Sequence, residues 1–372
     1  FPTTSTVTVN YATADNTALA GQDYTSVSNT LTYLPGETVK TLDVPIINNT
    51  AYEGPETFFV NLSGAVGATI TGPQGVGTIN DYEDVPTISI NDVSVTEGNS
   101  GTVAAQFTVS LSNLNEYNIT TVDYSTSNGT AQAPSDYAAV GSTTLSFTPG
   151  ETSKIISVDV VGDTLDENNE LFYVNLSNPS NGFILDGQGV GTITDDDPLP
   201  SLSIADSSVT EGDAGTVTMS FTVTMSVPSG RTVTVSYGFT DGTASSGTDY
   251  TGTGGILTFN PGETSKTVTA SAIGDTMDEV DETFTANLSS PVNATIADGI
   301  GVGTIIDDDA PPSISIDDVS EIEGDSGTTN ATFTATLSTA SGKTITVDYA
   351  SADGTAVAGE DYSVTSGTLT FT

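Results

Sequence analysis

Short runs of alternating hydrophobic and polar residues, cut by Gly, Pro, Asn and Asp, extend along the whole chain. Val7, Val9 and Tyr11 alternate with Thr8 and Asn10. Ile88 and Ile90 alternate with Thr and Ser until Asn91-Asp92 breaks the run, and Val103 to Leu111 forms a longer one. Val122-Asp123-Tyr124 opens the next run, and Asn128-Gly129 signals a turn. Leu145-Ser146-Phe147 leads into Pro149-Gly150, followed by Ile155 to Val161. Leu171 to Leu176 carries aromatic anchors, and Gly189-Val190-Gly191-Thr192-Ile193 comes last. A period of two marks half-buried strands, and no amphipathic helical pattern intervenes. The pattern predicts an all-β fold, with about seven strands packed as a two-sheet immunoglobulin-like sandwich.

This unit recurs. Pro-Gly-Glu-Thr begins at Pro35, Pro149 and Pro261, and Asp-Tyr pairs stand at Asp23, Asp136, Asp249 and Asp361, spaced by 113, 113 and 112. Asn-Leu-Ser recurs at Asn61, Asn175 and Asn287, within strand patterns, and is read as structural. Phe58, Phe172 and Phe284 hold one repeated strand position and are read as core anchors. Tandem domains of about 113 residues follow, each large enough to bury a core without cross-links. The expected boundaries are 1–84 for a repeat lacking its first strands, 85–198 and 199–310 for complete repeats, and 311–372 for the opening part of a fourth. The linkers Val85-Pro86, Pro198-Leu199-Pro200 and Ala310-Pro311-Pro312 are short and proline-stiffened, which predicts an elongated rod. The incomplete ends are expected to reflect a longer secreted repeat protein that continues on both sides.

Charge narrows the chemistry. With 48 acidic residues against 5 basic ones the formal charge is −43, which excludes binding to nucleic acid and repels anionic membrane surfaces. There is no membrane-length apolar run and no signal-peptide pattern. Cys, His and Trp are absent, so disulfides, softer transition-metal sites and the Ser-His-Asp and Cys-His routes to catalysis fall away. Hard oxygen chemistry remains. A pair of carboxylates can catalyse glycoside hydrolysis, but such a pair need not repeat in every domain, and the expectation is a chain that is not an enzyme.

The acids repeat at loop positions. Asp195-Asp196-Asp197 and Asp307-Asp308-Asp309 close the second and third repeats, and Asp81-Tyr82-Glu83-Asp84 is a weaker copy. Like charges packed so tightly repel one another unless a cation sits among them. The second repeat adds Glu97, Asp136, Asp163, Glu167 and Glu170; the third adds Glu211, Asp249, Asp275, Glu279 and Glu282. The first keeps Asp23, Glu53 and Glu56 but has Asn49 where the others have Asp163 and Asp275, and Tyr82 for the middle Asp. The fourth keeps Glu323 and Asp361. Ca²⁺ takes six to eight oxygens in flexible geometry, so a multi-loop carboxylate site suits it better than Mg²⁺.

The order Asp-Gly-Thr-Ala (Asp241, Asp353), Asp-Tyr, Pro-Gly-Glu-Thr, Glu-x-x-Glu and Asp-Asp-Asp resembles the Calx-beta domain of sodium–calcium exchangers and bacterial-type surface proteins. The resemblance covers the whole chain. It implies that the acids named above bind a cluster of calcium ions, helped by the backbone carbonyls of Leu165 and Met277. Gly162 and Gly274 stand where an exchanger domain can have another acid, which implies fewer ions. The function expected is a calcium-binding structural segment of a long extracellular or cell-surface filament or adhesin, with calcium rigidifying the junctions. Its partners are calcium, and identical chains or a cell-surface ligand. The alternative is an array of regulatory calcium sensors.

Overall fold

The computed structural model describes residues 4–372; the start of the first repeat, at residues 1–3, lies outside the described residues. Every regular element among the described residues is a strand. The chain divides into two compact units. One comprises residues up to Thr164 with Asn169–Asp196; the other comprises Leu165–Asn168 with Asp197–Thr372.

In the first unit, Ser28–Tyr33, Val7–Asp15, Glu56–Val66 and Gln74–Ile79 form one four-stranded sheet, in that order. Its core is small, with Ala18, Tyr24 and Phe58 buried. The second repeat in the same unit builds two sheets. Ser153–Gly162, Gly101–Leu111, Thr87–Ile90 and Phe183–Ile184 form one. Val93–Thr96, Gln188–Thr194, Glu170–Ser180, Thr120–Asn128 and Thr143–Phe147 form the other.

The second unit holds the third repeat, with two five-stranded sheets of the same plan. Alternation places Met219, Phe221, Val223 and Met225 of Gly215–Met225 inward, and their neighbours outward. The fourth repeat contributes two strand pairs, Ile314–Ile316 with Ala335–Leu337 and Ile345–Ala350 with Ser366–Phe371.

The complete repeats have more strands than the alternation predicts, mainly because the opening run serves both sheets. At the break, Asn91 Oδ1 accepts the Thr108 N–H (2.5 Å) and Asp92 Oδ1 accepts the Val190 N–H (2.7 Å). Each side chain thus takes the place of a backbone partner as the chain crosses over. Asp206 does the same in the third repeat, accepting from Val302 N–H at 2.7 Å. The second half of the run then pairs in parallel with the last strand, Thr96 opposite Thr194 and Thr210 opposite Ile306. This register carries Glu97 and Glu211 to the start of the two Asp runs.

A second device recurs under the Asp-Tyr motif. Tyr250, fully buried, stacks on Phe284 at 3.9 Å, and its hydroxyl donates to Asp241 Oδ1 (2.6 Å), which also accepts the Ser246 N–H. Tyr24 meets Asp15, Tyr137 meets Asn128 and Tyr362 meets Asp353 in the same way. The Asp of Asp-Gly-Thr-Ala is therefore an anchor for the buried tyrosine. Tyr250→Phe keeps the stack and leaves the carboxylate short of a donor. It is expected to lower stability by about 1 kcal/mol; an unchanged urea midpoint would count against that role.

Candidate metal centre

The site is best described in the third repeat, where all its parts lie in one unit. The parallel pairing places Glu211 beside Asp307 and Asp309, with one carboxylate oxygen from each within 4.8 Å of the others. Asp249, Glu279 and Glu282 form a second triplet at the same separation. Glu282 opens its strand opposite Ile305, and Asp249 is held because its carbonyl accepts the Ile273 N–H while its Oδ2 accepts the Ser245 N–H.

These carboxylates repel one another across a desolvated space. Burial, then Asp275 and Asp307, pushes Glu211 up to about 7. Burial and Asp249, which shares a hydrogen bond with it, push Glu282 up to about 7. Glu279 is raised by burial and then by Asp275 and Asp249, so one field spans both triplets. Asp307 Oδ1 and Asp309 Oδ2 are shielded from solvent and accept no hydrogen bond. Buried polar atoms normally find a partner. Two orphaned acceptors among raised carboxyls therefore fit a hard, oxygen-seeking cation.

Asp308, the middle acid, stands apart. Its Oδ1 accepts the Gly212 N–H at 3.1 Å, and Asp196 accepts from Gly98 N–H at 3.1 Å in the second repeat. Asp307 and Asp309 thus join the cluster, while Asp308 between them ties down the Glu-Gly turn. Sequence reasoning missed Asp281 and Asn169, whose Oδ1 atoms accept the N–H of Asp307 and Asp195, each at 3.2 Å. Their signal was the repeat spacing itself, 281 − 169 = 112.

In the first unit, Glu97 and Asp195 lie within 4.8 Å, as do Asp136 and Glu170; Asp163 follows directly on the strand Ser153–Gly162, while Glu167 and Asp197 belong to the second unit. Asp23, Glu53 and Glu56 form a triplet in the first repeat, beside a cleft of about 310 Å³ that Asp81, Tyr82 and Glu83 also line. Burial, then Asp23, pushes Glu56 up to about 7. Here the substitutions matter. Asn49 Nδ2 donates to Glu53 Oε1 (3.0 Å), and Asp81 Oδ2 accepts the N–H groups of Glu53 and Gly54. Asp84 lies outside the triplet, and its carbonyl accepts from Asn113. In the fourth repeat Glu323 is exposed and Asp361 Oδ2 accepts the Val357 N–H, and neither joins a triplet among the described residues.

Tandem β-sandwiches that gather carboxylates from one strand end, two loops and a terminal Asp run define a class of repeat. The sequence profile of the Calx-beta domain matches residues 2–78, 80–197, 194–309 and 307–372, and the chain belongs to that family. It is 29% identical over 265 residues to extracellular matrix organizing protein FRAS1 of Mus musculus, across 66% of this chain and 6% of that protein. It is 34% identical over 215 residues to sodium/calcium exchanger 1 of Bos taurus, across 52% of this chain and 22% of the exchanger. It is 27% identical over 215 residues to adhesion G-protein coupled receptor V1 of Danio rerio, across 50% of this chain and 3% of the receptor. The chain thus spans less than a quarter of each of these relatives. Among solved structures, CBD12 from CALX1.2 aligns with 24% identity and a TM-score of 0.28, covering 55% of this chain and 80% of that one. No helix among the described residues is long and apolar enough to cross a membrane.

Proposed function

We propose that this chain is a calcium-binding, non-catalytic segment of an extracellular structural protein, and that calcium stiffens the boundaries between its repeats. The observation that carries the reading is the pair of buried, unpartnered oxygens on Asp307 and Asp309, set among Glu211, Asp275 and Glu279. Glu211, Asp307 and Asp309 would hold one ion, and Asp249, Glu279 and Glu282 another, with Asp275 between them. The exchanger and matrix-organizing names of the relatives support the calcium and the extracellular parts respectively. The partners consistent with it are further copies of the chain or a cell-surface ligand.

The test is calorimetric titration of the 372-residue chain with calcium and, in parallel, magnesium. Asp307→Asn combined with Asp309→Asn should remove the ion bound at the end of the third repeat and weaken its neighbour by about tenfold or more, as two anionic ligands become neutral. The first repeat should fill last, since Asn49 and the backbone donors already occupy Glu53 and Asp81. Unaltered stoichiometry and affinity in the double variant would overturn the reading.

A further inference from the structure

The same short main-chain contact appears three times, always at one spacing. Tyr52 N–H donates to the Leu114 carbonyl, and the Tyr52 carbonyl accepts the Glu116 N–H (3.0 Å). Gly230 N–H donates to the Asp166 carbonyl and Gly342 N–H to the Asp278 carbonyl, each at 3.0 Å. The bridged residues are 63 apart in every case: Tyr52 with Asn115, Asp166 with Ser229, and Asp278 with Ser341. The first contact lies wholly in the first unit, and the other two lie wholly in the second.

The side chains above this common bridge differ, and they differ in pairs 65 residues apart. Tyr52 meets Tyr117 edge-on at 6.5 Å. Asp166, buried, accepts from Arg231 Nε at 3.0 Å and from its Nη2, and from Ser229 Oγ. Asp278, buried, accepts from Lys343 Nζ at 2.6 Å and from Ser341 Oγ at 3.1 Å. Space follows chemistry: a Cβ on Gly54 would stand 3.0 Å from the Tyr117 ring, and the corresponding residues beside the two acids are Asn168 and Val280.

Charge shows how selective this placement is. The chain has five basic residues. Lys40, Lys154 and Lys266 each pair with the Glu three residues earlier in a Pro-Gly-Glu-Thr turn. The remaining two are Arg231 and Lys343, both placed on a buried acid 65 residues earlier. A buried carboxylate that loses its partner is strongly destabilising, so an acid here tolerates only a neighbour bearing the cation.

We infer that the residues at i and i+65 are a matched pair that determines which repeat can follow which: a repeat presenting Asp accepts one carrying Ser-Gly-Arg or Ser-Gly-Lys, and one presenting Tyr accepts one carrying an aromatic. The partner of each repeat's loop is thus a neighbouring repeat of defined chemistry. In the third repeat the same cation also reaches Asp307 Oδ2 at 3.4 Å, so this pair stands beside the carboxylate cluster.

Hydrogen exchange at the Gly342 amide, in the full chain with chelator present, tests it. Lys343→Met and Asp278→Ala should each speed that exchange about tenfold or more, and the double variant should be little worse than either single one. Lys343→Arg, which copies the chemistry of Arg231, should keep the protection. The Glu116 amide beside Tyr52 should exchange at the same rate in all of these variants. Exchange of the Phe284 amide reports that the third repeat remains folded throughout. Unchanged exchange in Lys343→Met, strictly additive effects, or loss of protection in Lys343→Arg would each overturn the proposal. Lys343 Nζ also lies 3.4 Å from Asp307 Oδ2, so the exchange is read with chelator present. The calcium titration varies Asp307 and Asp309 and leaves Lys343 in place, so the two readings fail separately.

Discussion

Calcium is expected to raise the melting temperature of the chelator-treated chain at pH 7.5 by roughly 10 °C, and by much less near pH 5. Binding to the folded state alone at 100 times the dissociation constant contributes about 2.7 kcal/mol, and each kcal/mol is worth about 4–8 °C in a domain near 100 residues. The pH dependence follows from the raised carboxyls. Glu56, Glu211 and Glu282 stand near 7 in the folded, metal-free chain, against 4.5 for an ordinary glutamate. A folded-state value above the unfolded one contributes stability that is complete below about 4.5 and lost as pH rises through about 7. Without metal, therefore, the chain should melt lower as pH climbs across that window. Calcium should reverse the trend and, at pH 6.5, release protons, so that the observed binding heat varies linearly with the buffer's ionisation enthalpy. General repulsion from the net charge has the same sign, but 0.5 M sodium chloride screens it and leaves the buried clusters largely unscreened. A chelator profile that is flat or rises between pH 4.5 and 7 would rule this account out.

The second large effect is expected from one methyl group. A Cβ at Gly274 would fall inside the contact distance of the Gly212 carbonyl oxygen and 2.7 Å from the Glu211 carbonyl oxygen. Both obstacles are backbone, so no flexible side chain can yield. Gly274→Ala should destabilise the third repeat by about 3 kcal/mol, at the upper end of the usual cost of overpacking. Because the displaced segment carries Glu211, calcium affinity should fall with it. Gly238→Ala, with nothing within 4 Å, is the control and should stay within about 0.5 kcal/mol. Urea unfolding followed by tyrosine fluorescence compares them. Equal midpoints for the two variants would show that the strands can part at no cost.

Gly274 also illustrates where sequence reading stops. The resemblance marks Gly162 and Gly274 as acids that are missing; the backbone adds that no side chain fits there. Alternation along Gly215–Met225 and the repeated motifs sufficed for the strands and sandwiches, because an inward-facing Phe221 or Phe284 needs only a period of two. The crossover at Asn91-Asp92 was legible as a break but not as a change of sheet, since that depends on which distant N–H groups, those of Thr108 and Val190, donate to the two side chains. Within the acid runs the repeat spacing located Asp307 to Asp309, and only the fold, which turns Asp308 to the Gly212 N–H, separates it from its two neighbours. Asp166 and Asp278 escaped notice as two more acids in acidic loops. Their role appears once Arg231 and Lys343 are seen 65 residues downstream.

The parallel pairing of the opening run with the closing strand has a consequence for how the protein is made. Ser207 pairs with Gly303, 96 residues later. Long-range pairings of this kind form slowly. On a ribosome the middle strands of a repeat can meet while its first half-strand waits, edge unpaired, until the last codons of that repeat are read. Glu211 is then drawn to Asp307 and Asp309 in the step that closes the sandwich. The Glu211–Asp307–Asp309 triplet is thus the last part of the third repeat to exist, and during synthesis it comes into being only in a domain already complete.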